Sequence, residues 1–216
     1  MQSMSSKNSS DVALIILAAG EGSRMGEPKQ LLLIDGKSLL EWQLEKWSSD
    51  REWQTFIVLG AHQKLIREQM KDLDHDWVQN DEWESGMGSS IREGVLAARK
   101  KMDNLSGFLI VLLDQVKIEL DHLNQILEET RKNPDKIVSA HYNGVLGVPA
   151  FFPISYFDDL RKLVSQRGAG ALIRENQASL VRIEILEAAF DLDTHKDYEE
   201  FIEHRKTHDS DSSEII

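Results

Sequence analysis

Residues 14–33 read LIILAAGEGSRMGEPKQLLL, and the fold turns on how this stretch is read. The aliphatic run Leu14 to Leu17 has the length and flanks of a buried strand, and it stops at Ala18-Ala19-Gly20, where side chains nearly vanish. Backbone can approach a ligand closely there. Gly20, Gly22 and Gly26 relax the dihedral limits of the turn that follows, so successive amides can face one anion instead of entering a sheet ladder. Arg24 and Lys29 add positive charge beside them. These parts make a cradle for a polyphosphate at the carboxyl end of a first strand, the place where open α/β sheets take nucleotides.

Two common phosphate motifs do not fit. The dinucleotide fingerprint G-x-G-x-x-G fails because Gly26 falls one residue late after Gly20 and Gly22, and Walker A fails because Lys29 lies between Pro28 and Gln30.

Outward from this stretch, the chain alternates strands and helices. Ser38 and Glu41 have capping-box spacing ahead of a helical stripe of Leu39, Leu40, Gln43, Leu44 and Trp47. Phe56 to Gly60 reads as a second buried strand and Gln63 to Met70 as a helix, an order that favours a parallel sheet. Asn80 then precedes DEWESGMGSSIREGVLAARK, in which Ser89 and Ser90 are candidate caps of an amphipathic helix. GFLIVLLD, residues 107–114, predicts a buried strand with Asp114 at its carboxyl end, where a hard cation would find an oxygen ligand facing the crevice. Further helices are predicted over Leu120 to Arg131 and Lys196 to His204, and strands over Ile137 to His141 and Val181 to Leu186. Asn143-Gly144 is a type I′ hairpin signal, so antiparallel pairing is expected there. Asp193 or Thr194 can cap the last helix.

Composition sets the bounds. At 216 residues, one α/β domain is the expectation, over residues 11–205, with residues 1–10 disordered and 206–216 a polar tail. A net charge of -12 argues against nucleic acid as a partner, because phosphate backbones are held by basic stripes. With no cysteine, thiolate metal sites, disulfides and cysteine nucleophiles are excluded. The polar start MQSMSSKNSSD has no apolar core of a signal peptide, and no run reaches the length of a membrane span, so a cytoplasmic protein without a membrane partner is expected.

The string L-A-A-G-x-x-S-R-M-G-x-P-K, Leu17 to Lys29, resembles the amino-terminal signature of the molybdenum cofactor cytidylyltransferases, within the nucleotidyltransferases that are similar to molybdopterin guanylyltransferases. The resemblance implies a Rossmann-like three-layer α/β/α sandwich with a mostly parallel mixed sheet, of the nucleotide-diphospho-sugar transferase type. It implies nucleotide contacts from Leu17, Ala18, Ala19, Gly20, Gly22, Ser23, Arg24 and Lys29. Asn80, Trp83, Gly86, Met87 and Ser90 are similar to a second signature, which places Asn80, Gly86, Met87 and Ser90 beside the nucleotide. Asp114-Gln115 matches the centre of the family's G-D-Q-P, and Asp191 to Thr194 resembles its D-I-D-T-P-E-D. Asp114 and Asp193 are thereby implied as magnesium ligands, and Arg24, Lys29 and Asp114 as the catalytic set. Ala19 and Pro28 favour CTP over GTP, since the guanylyl relatives usually carry glycine and aspartate there. The implied acceptor is a phosphate-bearing small molecule, molybdopterin first, with other molybdenum cofactor proteins as partners. A sugar or polyol phosphate is the alternative, as is a relative that binds nucleotide without catalysis. Departures gather on the acceptor side: Leu113 and Val116 replace glycine and proline, so the backbone around Asp114 is expected to differ. Val148 replaces a histidine in a segment similar to G-x-x-G-H-P, Gly170 an arginine after Ser165-Gln166-Arg167, and His195 a proline.

Overall fold

A computed structural model describes residues 11–22, 24–47, 52–163 and 168–211. The expectations for residues 1–10, for Ser23, for Ser165-Gln166-Arg167 and for residues 212–216 lie outside the described residues. In chain order, β1 (Val12–Ala18) is followed by a small hairpin of β2 (Leu33–Ile34) and β3 (Lys37–Ser38), then α1 (Leu39–Trp47), β4 (Gln54–Leu59), α2 (Gln63–Gln69) and β5 (Asp76–Gln79). Next come α3 (Met87–Lys101), β6 (Gly107–Leu112), α4 (Leu120–Lys132), β7 (Val138–Tyr142) and β8 (Val145–Pro153). The described chain closes with α5 (Phe157–Leu160), α6 (Ala169–Glu175), β9 (Val181–Glu184) and α7 (His195–Asp211).

The main sheet runs β5-β4-β1-β6-β8-β7-β9. Pairings β5–β4, β4–β1, β1–β6 and β7–β9 are parallel, while β8 runs antiparallel to both of its neighbours. This is the mostly parallel mixed sheet that was expected. The lone reversal follows from two residues: Asn143 and Gly144 take φ 49 and 76, the pair of positive values a type I′ turn requires, and Tyr142 faces Val145 across it.

Alternation along β1 builds the layers. Val12, Leu14, Ile16 and Ala18 enter one core with Leu39, Leu40 and Trp47 of α1, Ile66 of α2, Leu123, Ile126 and Leu127 of α4, and Phe201 of α7. Ala13, Ile15 and Leu17 enter the other with Ile91, Val95 and Ala98 of α3, Leu160 of α5, and Leu172 and Ile173 of α6. All seven residues of β1 are buried. A strand covered by helices on both faces reads as a continuous apolar run, which is why residues 12–18 carry so strong a signal.

Several boundaries differ from expectation. The sixth strand ends at Leu112, and Leu113 N–H still reaches the Leu17 carbonyl of β1 at 3.2 Å before the chain turns away. The last strand ends at Glu184, and Leu186 opens a 3-10 turn instead. The last helix begins at His195 and runs on to Asp211 rather than stopping at His204. Ser38 and Glu41 form the expected capping box, with Ser38 N–H on Glu41 Oε2 at 3.0 Å and Glu41 N–H on Ser38 Oγ at 3.2 Å. Among the described residues no helix is long and apolar enough to cross a membrane.

Candidate active site

The carboxyl ends of β1 and β6 are neighbours in the sheet, so the loops that leave them form two walls of one cleft. On the first wall, Gly22 and Gly26 take φ of 70 and 73, and Met25 N–H closes a turn on the Gly22 carbonyl at 2.8 Å. Pro28 is extended and opens a 3-10 turn, Lys29–Leu31. That turn sends consecutive side chains in different directions. Gln30 goes inward, where Nε2 donates to the carbonyls of Ala18 at 2.6 Å and Gly20 at 3.1 Å; Lys29 goes into the cleft.

Lys29 is the centre of the site. Its Nζ lies 2.9 Å from Asp114 Oδ2 and 3.0 Å from Asp193 Oδ1, joining residues 85 and 164 positions away. Burial works against the ammonium, but the charge and hydrogen bond of Asp114, together with those of Asp193, outweigh it, so the Lys29 pKa stands above its ordinary value. Lys29 is therefore a fixed cation at neutral pH. Arg24 Nη1 reaches Asp193 Oδ2 at 3.6 Å from an exposed position. Two hollows share Gly22 and Lys29: one of about 70 Å³ lined by Leu17, Ala18, Gly20, Gln30, Leu113 and Asp114, the other of about 290 Å³ lined by Arg24 and Asp193.

The second wall carries both acids and is sewn together. Leu192 N–H donates to the Asp114 carbonyl at 3.0 Å, which fixes the Asp191–Asp193 segment against the β6 loop. Gln115, fully buried, donates from Nε2 to the carbonyls of Val148 at 3.1 Å and Ala188 at 2.9 Å. Gln43 of α1 donates to the Leu113 carbonyl at 3.2 Å from behind. Leu113 and Val116 point into the α1 and α4 core and neither takes positive φ, so the loss of a glycine and a proline is absorbed by packing. Thr194 caps α7: Thr194 Oγ1 accepts from Asp197 N–H at 3.2 Å, and Asp197 Oδ2 accepts from the amides of Asp193 at 3.1 Å and Thr194 at 2.7 Å. Because Thr194 and Asp197 do the capping, the Asp193 carboxylate is left to face Lys29.

Asp114 and Asp193 offer hard oxygen donors around one cationic point, a set that fits magnesium completed by phosphate oxygens. Among the described residues no group of three or more His, Cys, Asp or Glu side chains forms a metal cage of its own. Such a cage is not needed, since magnesium is commonly held by one or two carboxylates plus substrate phosphates.

The second expected nucleotide segment, around Asn80 and Ser90, is packed against the start of α3. Asn80 is fully buried and spends its side chain on the protein: Nδ2 donates to Ser89 Oγ at 2.8 Å and Ser90 Oγ at 2.9 Å, and Oδ1 accepts from Glu82 N–H at 3.0 Å. Ser89 and Ser90 sit inside the first turn of α3 and do not cap it. The residue before the helix is Gly86, at φ 114, and Ser89 Oγ donates back to the carbonyls of Gly86 and Glu82. Met87 is 41% exposed beside Gly168. Asn80, Gly86 and Ser90 thus shape the start of α3, and Met87 is the side chain of this group that reaches the surface.

Sequence reasoning missed Asp191, which stands at the cleft rim. The surrounding protein crowds water away on its inner side and Asp114 and Asp193 add negative charge, so its pKa is pushed up to about 6, although Lys29 pulls the other way. It also missed the structural roles of Gln30 and Gln115, whose burial leaves no mark in the sequence. His195, noted only as a departure, donates from Nε2 to the Met25 carbonyl at 2.7 Å.

The cleft lies at the switch between parallel strands, and the model of the MobA-like NTP transferase domain matches residues 14–180. The chain belongs to this family. Nicotine blue oxidoreductase of Paenarthrobacter nicotinovorans is 33% identical over 132 residues, 61% of this chain and 62% of that protein, so the chain covers less than two thirds of that relative. A probable molybdenum cofactor guanylyltransferase of Thermococcus kodakarensis is 26% identical over 192 residues, 84% of this chain and 90% of that one. Among solved structures, Rv0371c of Mycobacterium tuberculosis H37Rv in complex with manganese superposes with a TM-score of 0.71 at 23% identity, over 89% of this chain and 98% of that chain. The family match covers both cleft loops that leave β1 and β6 and stops before Asp191 and Asp193.

Proposed function

We propose that this chain transfers a nucleoside monophosphate, CMP from CTP in first place, to a phosphate oxygen of a small acceptor, molybdopterin in first place, and releases pyrophosphate. The observation that carries the reading is the Lys29 ammonium held between Asp114 and Asp193 at the mouth of the glycine loop. An acceptor oxygen attacks the α-phosphorus; the bond to the bridging oxygen breaks, and pyrophosphate leaves with that electron pair. The acceptor phosphate is already ionised, so no general base is required. Magnesium, held by Asp114 and Asp193, would neutralise charge on the phosphates. Lys29 and Arg24 stabilise the charge that builds on the leaving group, and the loop from Leu17 through Ala18, Ala19 and Gly20 to Gly22 brings backbone against the triphosphate.

CTP is favoured over GTP by Ala19 and Pro28, and the manganese in the Mycobacterium tuberculosis Rv0371c complex agrees with a metal here. A second reading, with a sugar or polyol phosphate as acceptor, is favoured by Val148, an apolar buried side chain where the family resemblance expects histidine. A redox activity like that named for the Paenarthrobacter oxidoreductase has no support from the dinucleotide fingerprint, which this loop lacks. Pyrophosphate release, measured with four triphosphates, magnesium and an acceptor panel including molybdopterin, tests the reading. CTP-dependent release is expected. Release with no triphosphate under any acceptor, or nicotinamide turnover in its place, overturns it.

A further inference from the structure

The glycine loop meets two residues of one turn across the cleft, through three contacts. Lys29 and Arg24 contact Asp193, and His195, two residues on, contacts the Met25 carbonyl. We propose that His195 is a positioning residue, a latch that holds the glycine loop against the turn carrying Asp193; its bearing on nucleotide binding rests on the function proposed above.

The three contacts are not equivalent. Lys29 and Arg24 are charges for which triphosphate oxygens compete, and Asp193 is a carboxylate for which a divalent cation competes. Their mutual contacts must loosen as ligands arrive. The His195 contact uses a main-chain carbonyl and an imidazole N–H, neither of which a triphosphate needs, so it persists while the ion pairs exchange.

The proton assignment follows from the acceptor. A carbonyl oxygen only accepts, so Nε2 carries the hydrogen, and both the Nε2–H tautomer and the imidazolium can donate it. The latch is therefore independent of ring charge. Both of its ends are anchored. Met25 is 2% exposed and its own N–H closes the turn onto Gly22. His195 opens α7 immediately after the turn fixed by Thr194 and Asp197. Proline, which the resembling family segment carries at this place, has no side-chain donor, so a chain with proline here cannot form this latch.

The test is amide hydrogen exchange over residues 20–29 of the ligand-free protein, paired with CTP titration in magnesium. In His195→Ala, loop amides should exchange about fivefold faster and CTP affinity should fall about fivefold, the effect of one ordinary hydrogen bond. His195→Gln, whose side-chain amide nitrogen can replace Nε2, should recover both, while His195→Pro should behave as the alanine variant. Loop exchange unchanged in His195→Ala overturns the proposal. So does a glutamine variant no better than alanine, or faster exchange spread evenly over the whole protein. Exchange is read without nucleotide, so a parent protein that binds no CTP would remove the nucleotide reading while the latch is still judged on its own result.

Discussion

On the first wall of the cleft, the described residues between Ala18 and Lys29 hold their shape mainly through backbone, with Gly22 and Gly26 at positive φ and the Gly22–Met25 turn, and the Gln30 side chain adds a tie to two carbonyls. On the second wall, residues 113–116 and 191–194 hold theirs through side chains: Leu113 and Val116 in the core, Gln115 on two distant carbonyls, Asp197 on two amides. A wall shaped by backbone depends on particular residue types at particular positions, because few residues tolerate left-handed dihedrals. A wall shaped by packing accepts any set of side chains that fills the same space. The motif resemblance is nearly complete on the first and broken on the second for that reason.

Lys29 spans both walls, so its removal should have the largest effect. Lys29→Ala is expected to lower kcat for pyrophosphate release by about 10²–10³, with a smaller change in apparent triphosphate affinity, if it acts mainly on the leaving-group charge. Equal turnover would place the lysine outside the chemistry. Next is Asp114→Ala, which should weaken CTP binding in magnesium by about 10- to 100-fold while leaving metal-free binding nearly unchanged; paired calorimetric titrations read this directly.

The two glycines of the first wall sharpen the contrast within it. A Cβ on Gly22 would lie 2.9 Å from the Glu27 carbonyl, whereas a Cβ on Gly26 meets nothing within 4 Å. Gly26→Ala should cost about 1–2 kcal/mol for the left-handed backbone alone, and Gly22→Ala about 2–4 kcal/mol because contact strain adds to it. Denaturant midpoints of the two variants check the order. If they agree, the loop relaxes around its side chains and the backbone account of this wall fails.

The smallest effect belongs to the second wall. Asp191 binds its proton more tightly when folded, at about 6, than its ordinary value of 3.8. Between those values the folded state holds more protons than the unfolded, so stability from this group is present at low pH and declines as pH rises through 6. Asp191→Asn should flatten the fall in melting temperature between pH 4 and 6, a shallow change because the side chain is exposed. A parallel pH profile for parent and variant would show Asp191 to be ordinarily solvated.

The legibility of the sequence divides along the same line. Strand β1 was readable as an unbroken apolar run, the β7–β8 reversal as Asn143-Gly144, and the α1 start as Ser38 with Glu41. Each of these is a local rule with a local cause. Lys29, Asp114 and Asp193 were readable only as pieces of three separate motifs; their meeting on one ammonium depends on the strand order and on Leu192 N–H reaching Asp114. The burial of Asn80 was not legible, because a buried asparagine that organises a helix start and one at the surface have the same letter. Ser89 and Ser90 misled because the entry to α3 was made by a glycine in an unusual conformation rather than by a hydroxyl.

The tie between Leu192 and Asp114 also matters while the chain is being made. A ribosome that has released residues up to Leu112 has delivered β1, β4, β5 and β6, enough for the parallel half of the sheet and the glycine loop. Asp193 follows 79 positions after Asp114, and until it emerges Lys29 has one carboxylate rather than two and the β6 loop lacks its clasp. A nascent chain can thus shape the glycine loop early, yet it gains the second carboxylate only once residue 193 has followed. A message truncated before that point would yield a protein with the cradle's glycine loop but without the carboxylate pair.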